Sequence, residues 1–218
     1  MLPETPAATP HQGCFVVFEG GEGAGKSTQA RMLAKTLRAA GHEVVETREP
    51  GGTPAAEAMR TVLLGPEFVG LGDRAEALLF AASRSDHVRA VIAPALQRGA
   101  VVVCDRYIDS SLAYQGIARD LGIADVRAIN RWATAGLVPD VTVVLDVNPE
   151  TGLRRAGAPD RLESEPLEFH RRVAQAFLEL AAEAPDRYLV LDAARKPAEL
   201  AAAIASRVET ELRERSAK

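Results

Sequence analysis

The chain has little that would tie it to a secreted, membrane-bound or metal-rich class of protein. Only two cysteines, Cys14 and Cys104, occur in 218 residues, each inside an apolar run. Two thiols so placed point to buried, reduced side chains rather than to a disulfide framework or a metal pair. The histidines His11, His42, His87 and His170 are scattered and form no group at metal-ligand spacing. His87, beside Asp86, reads as a surface or interface group. No nucleophilic triad is visible. No apolar run approaches the ~20 residues of a membrane span. Residues 1–12 are rich in Pro, Ala and Thr but lack the basic start and apolar centre of a secretory signal. They read as a flexible tail, and a cytoplasmic location is the expectation. Basic residues do not predominate: 26 Lys and Arg against 30 Asp and Glu leave a net charge of −4. That balance argues against a nucleic-acid binder, which needs a basic face. Internal repeats and Gly/Ser linkers are also lacking, so residues 13–218 read as one domain.

What is present is alternation. Residues 14–18, 101–104, 141–145 and 188–191 are short, near-continuous apolar runs of the kind found in strands buried on both faces. A weaker strand over 43–47 follows Gly41, a helix-ending residue. Helical patterns cover 26–40, 53–64, 74–98, 125–135, 167–184 and 197–215. The expectation is an α/β fold: a parallel five-stranded sheet with helices on both faces and ligands beyond the carboxyl ends of the strands. Gly, Pro and charged residues cluster near 154–165, which reads as a short mobile lid.

The first strand runs directly into Gly20-Gly21-Glu22-Gly23-Ala24-Gly25-Lys26-Ser27-Thr28, a full G-x-x-x-x-G-K-[ST] match. Glycines let the backbone curl so that successive N–H groups face phosphate oxygens, and the following helix adds its positive end. In such a P-loop, Lys26 reaches the β- and γ-phosphates of ATP and the Ser27 hydroxyl ligates Mg²⁺. The fold expectation is thereby narrowed to a P-loop NTPase-like sheet. Neither N-K-x-D nor D-x-x-G occurs, which removes a GTPase switch, and 218 residues are few for a large ATPase. A small kinase needs only a cradle, an acceptor pocket and a lid.

The third strand ends in Asp105-Arg106-Tyr107. An acid beside the P-loop suits a Mg²⁺ water shell, and a forked cation suits an acceptor phosphate. Taken alone, the pair is more often just a surface ion pair. Its surroundings add more. The run from Asp105 to Gly116 reads D-R-Y-I-D-S-S-L-A-Y-Q-G. Together with R-E-P-G-G-T at 48–53, L-L-F-A-A-S-R at 78–84 and L-D-V-N-P-E at 145–150, it resembles the bacterial thymidylate kinases, over most of the chain from Val16.

That resemblance implies transfer of a phosphoryl group from Mg·ATP to dTMP by a homodimer packed through helices. It implies that Phe80 stacks on thymine and that Arg84, on the same helix face at i+4, bonds the base edge with Ser111 and Gln115. On the residues alone, Phe80 is equally a core aromatic and Arg84 a solvated cation. Tyr114 would sit against the deoxyribose, Arg48 and Arg106 on the acceptor phosphate, and Glu22 near the 3′-hydroxyl. The resemblance also implies a catalytic arginine, from either the P-loop or the lid. The loop here has no base before Lys26, so the lid should supply it. Arg161, in a D-R-x-E context, is the first expectation and Arg155 the second. The segment before Asp160 is shorter and poorer in arginine than the common pattern.

Overall fold

The computed structural model describes residues 11–157 and 160–216, so most of the expected tail and two residues of the expected lid lie outside the described residues. Five strands, β1 (Cys14–Glu19), β2 (Val44–Arg48), β3 (Val101–Asp105), β4 (Val141–Asp146) and β5 (Tyr188–Asp192), form one sheet in the order β2-β3-β1-β4-β5. Every neighbouring pair is parallel, as expected. The central strand β1 shows why its sequence is apolar throughout. Cys14, Val16 and Phe18 pack into one core, against Leu33, Leu37, Ile204 and Val208. Phe15 and Val17 alternate into another, with Ile92, Leu96 and Tyr107. A strand buried on both faces has no room for a polar side chain except at its tip, which is where Glu19 stands.

The helices are α1 (Lys26–Ala39), α2 (Pro54–Leu64), α3 (Asp73–His87), α4 (Ala93–Gln97), α5 (Ile108–Ser111), α6 (Ile123–Ala133), α7 (Pro149–Arg155), α8 (Leu167–Glu183) and α9 (Pro197–Ser216). A π-helical turn, Val88–Ile92, joins α3 to α4. The pattern over 74–98 predicts one helix, and the widened turn is the difference. Pro94 has no N–H to give and its ring crowds the preceding turn; the helix continues because Ala93 N–H bonds Val88 O, five residues back. A second π-helical segment, Leu112–Ala118, continues α5. Neither this segment nor α7 was expected. Asn148 caps α7 by accepting from Thr151 N at 3.1 Å, with Pro149 in the first turn, a signal present in the N-P-E string.

Close packing joins the P-loop to α7. A Cβ on Gly23 (φ 62°) would lie 2.1 Å from Gly152 O, and one on Gly152 would lie 2.1 Å from Glu22 O. The two backbones touch, so only glycine fits at either place.

Candidate active site

A cleft of about 460 Å³ opens at the carboxyl ends of β1, β2 and β3. On one wall the P-loop curls over α1. Lys26 Nζ donates to Gly20 O at 3.0 Å and Gly21 O at 2.7 Å. Burial and the neighbouring Arg106 push its pKa down to about 8, against the pull of Glu22 and Asp105. Ser27 Oγ donates to Asp105 Oδ2 at 2.5 Å. A hydroxyl and a carboxylate side by side at the P-loop are the hard oxygen donors that Mg²⁺ takes, so these two residues fit the ion. Gly23, Ala24, Gly25 and Thr28 line the same wall, while Gly20 and Gly21 lie behind it as acceptors for Lys26.

Arg106 joins this wall to the next. It holds a left-handed backbone (φ 69°), unusual for a side chain of its size, with its N–H on Phe18 O at 2.9 Å. Its guanidinium donates to Gly20 O at 3.2 Å, Ser110 Oγ at 3.1 Å and Glu22 Oε1 at 2.7 Å. Tyr114 OH donates to the same Glu22 oxygen at 2.6 Å. Burial alone would raise the Glu22 pKa, but Arg106, Lys26 and the Tyr114 hydroxyl overcome it and hold the carboxyl at about 2. Glu22 is therefore an anion throughout the working pH range. Behind Arg106, the fully buried Glu19 accepts from Tyr107 N, Ser110 N and Ser110 Oγ at 2.8, 3.1 and 2.6 Å, fixing the turn into α5. Burial and Asp109 raise its pKa to about 7.

The far wall holds Phe80, Arg84, Ser111, Tyr114 and Gln115. Arg84 is not solvated: it is 2% exposed. It donates to Glu49 Oε2 at 2.6 Å, Ser111 Oγ at 3.0 Å, Tyr107 O at 2.9 Å and also to Asn130. His87, read from sequence as a surface group, is fully buried, with Nδ1 on Glu49 Oε1 at 3.0 Å and Nε2 on Thr47 Oγ1 at 2.6 Å. Helix α3 turns it inward on the same stripe as Phe80 and Arg84. Arg48 lines the cleft with its guanidinium on both Glu57 oxygens at 3.0 Å. Arg60, which the sequence reading passed over, lines it too and donates to Pro50 O at 2.9 Å. The face of α2 shared by Glu57 and Arg60 was the available signal.

The two lid arginines are placed differently. Arg155, with Asp160, Leu162 and Glu163, borders the cleft; Arg161 does not. Asp160 Oδ1 accepts from Leu162 N and Glu163 N at 2.8 and 2.9 Å, and this tight turn sends Arg161 backward. Arg161 lies 8% exposed, with Nε on Leu63 O at 2.8 Å and its guanidinium beside Glu76. Glu76, Glu19 and Asn130, all buried anchors of the site, were also missed, and Glu49 entered only as a letter of R-E-P-G-G-T. Single polar residues on helix or strand faces give no motif.

A P-loop at the tip of a central parallel strand, facing a second pocket rich in arginine across one cleft, defines a phosphotransferase of the nucleoside monophosphate kinase class. A family model described as thymidylate kinase matches residues 18–204. A thymidylate kinase of Deinococcus radiodurans is 54% identical over 198 residues, covering 88% of this chain and 95% of that protein. One from Cutibacterium acnes is 52% identical, covering 90% and 96%. The crystal structure of thymidylate kinase from Ehrlichia chaffeensis superposes with a TM-score of 0.70 at 34% identity, covering 84% of this chain and 93% of that one. The chain belongs to the thymidylate kinase family, and its activity is phosphorylation of dTMP.

Proposed function

We propose that this cleft aligns ATP and dTMP so that the γ-phosphoryl group passes directly to the acceptor phosphate. The observation that carries the reading is the continuity of one cleft from Lys26, Ser27 and Asp105 to Phe80, Arg84, Ser111 and Gln115. Phosphoryl transfer asks a protein for alignment and charge neutralisation rather than covalent chemistry. The P-loop backbone and Lys26 bind the ATP phosphates. Arg48 and Arg106, with Arg60 beside them, receive the acceptor phosphate. Phe80 covers the thymine face, and Arg84, Ser111 and Gln115 present donors and acceptors to its edge. Tyr114 closes the sugar side, and the ionised Glu22 accepts from the 3′-hydroxyl. Ser27 and Asp105 are the residues that would hold Mg²⁺, which when bound neutralises charge on the phosphate oxygens.

Residues 13–218 act as one domain with the segment 154–165 as its lid, and Arg155 is the lid arginine that meets the transferred group. The reading also includes a homodimer and a cytoplasmic location. Support for the dimer comes from α3 and α6, which pack together. Leu78 and Ala82 on α3 and Ala124, Ala128 and Trp132 on α6 form exposed apolar stripes at helical spacing.

A coupled assay of ADP release, with dTMP, dUMP, dCMP, dGMP and dAMP offered separately, tests the proposal. Strong preference for dTMP is expected. Turnover of another nucleotide would remove the base-pocket assignments, and ATP binding without turnover would leave a nucleotide-binding module.

A further inference from the structure

The geometry points to a second ligand site, for a small organic oxyanion, on the side of α5 away from the acceptor pocket. A separate cavity of about 310 Å³ is bounded by α5, α6, the turn after α6, α8 and β5. Its volume falls at the lower end of the range for small-molecule pockets. Ile108, Leu112, Leu137 and Leu180 give it an apolar floor, and Arg127, Arg131 and Arg187 give it a cationic rim.

The charges at this rim do not cancel internally. Three arginines face two carboxylates here: Glu183 accepts from Arg127 Nη2 at 2.8 Å, and Asp109 accepts from Tyr188 OH at 2.7 Å and also lies in the field of Arg187 and Arg127. Among the described residues, the Arg131 guanidinium has no hydrogen-bond or ion-pair partner. Arg187 lies over the Tyr188 ring, 5.3 Å from its centroid, and its Nε is buried with no acceptor. Two arginine forks with donors to spare select a carboxylate or a phosphate group, and the apolar floor selects a body that is hydrophobic or planar. The ligand class is therefore a phosphomonoester or carboxylate carried on a small apolar body.

The site differs from the catalytic one in every lining residue, yet they share one wall. Asp109 faces this cavity while its neighbours Ser110 and Ser111 face the active-site cleft. None of the residues assigned to catalysis lines it.

The test is isothermal titration of the full chain with phenyl phosphate, benzoate and inorganic phosphate, with dTMP and ADP saturating so that the catalytic cleft is filled. One saturable site is expected for phenyl phosphate or for benzoate, and whichever binds identifies the head group. Its Kd should rise by about tenfold or more in Arg131→Ala and in Arg187→Ala. Arg131 is exposed, so Arg131→Ala should fold and keep its dTMP kinetics. Four results would overturn the proposal. Neither organic probe binds, or binding vanishes once dTMP and ADP saturate, or it persists unchanged in both variants. Inorganic phosphate binding as tightly as phenyl phosphate would remove the apolar body from the ligand class and overturn the proposal as stated.

Discussion

Arg161 and Glu76 form a buried ion pair, 2.6 Å between guanidinium and carboxylate, with side chains 6% and 0% exposed. Glu76 also accepts from Gln115 Nε2 at 2.9 Å and lies 3.3 Å from Arg119 Nη2. One carboxylate on α3 thus anchors the root of the lid and a side chain of the base pocket.

The first prediction separates the two lid arginines. Arg161→Ala leaves a buried carboxylate short of its main counter-charge, a loss of about 3 kcal/mol. For a chain of this size that lowers Tm by roughly 6–12 °C, while kcat of the folded enzyme changes only severalfold. Arg155→Ala should do the reverse, leaving Tm within about 2 °C and lowering kcat by about 10²-fold. Thermal unfolding and steady-state kinetics on both variants decide it. A stable Arg161→Ala enzyme with collapsed kcat would return the catalytic role to Arg161.

This pair also marks how far the sequence could be read. Strand count, the parallel sheet and the P-loop were legible because each repeats one physical requirement over several adjacent residues. The orientation of Arg161 was not, because D-R-x-E carries no record of which way its turn faces. The direction is set by Asp160 bonding two successive N–H groups and by a carboxylate 85 positions away in the chain. His87 failed for a related reason. Its neighbour Asp86 suggested a surface, yet the helix phase shared with Phe80 and Arg84 carries it to Glu49. Similarly, α5 and the π-helical segment after it are short and buried by several elements at once, so no amphipathic stripe announces them.

Arg84 gives the second prediction. Its planar fork meets four acceptors, including Glu49 and Ser111, and an ammonium group cannot reproduce that set. Arg84→Lys should raise the KM for dTMP by about 10-fold to 10²-fold, with a smaller effect on the KM for ATP. Equal changes in the two KM values would mean general loosening of the fold instead of a lost base contact.

The third prediction concerns assembly. If the exposed stripes on α3 and α6 meet a second copy, a carboxylate in each stripe buries an unpaired charge against its symmetry mate. The variant carrying both Leu78→Glu and Trp132→Glu should therefore run as a monomer in light scattering, whereas the parent chain runs at twice the mass. A parent chain that is already monomeric at micromolar concentration removes the dimer from the reading.

Lys26 supplies the last prediction, and its sign follows from the protonation states. With its pKa held down to about 8 by burial and Arg106, Lys26 carries its charge below that pH and loses it above. Glu19, with its pKa at about 7, titrates at lower pH. The neutral Lys26 amine attracts the ATP phosphates far less, so kcat/KM for ATP, which reports the free enzyme, should be shaped by Lys26 on its alkaline side. Above about pH 8 it should decline, approaching tenfold per pH unit. Glu22 stays ionised at about pKa 2 and contributes no bend in this window. The cause can be tested separately. Arg106→Gln removes the neighbouring cation and leaves the carboxylates of Glu22, Asp105 and Glu19 to act on Lys26. Overall activity should drop, and the alkaline limb should move to higher pH. A limb that stays at pH 8 in Arg106→Gln would assign the titration to another group, and a profile flat to pH 9.5 in the parent enzyme would show Lys26 charged throughout.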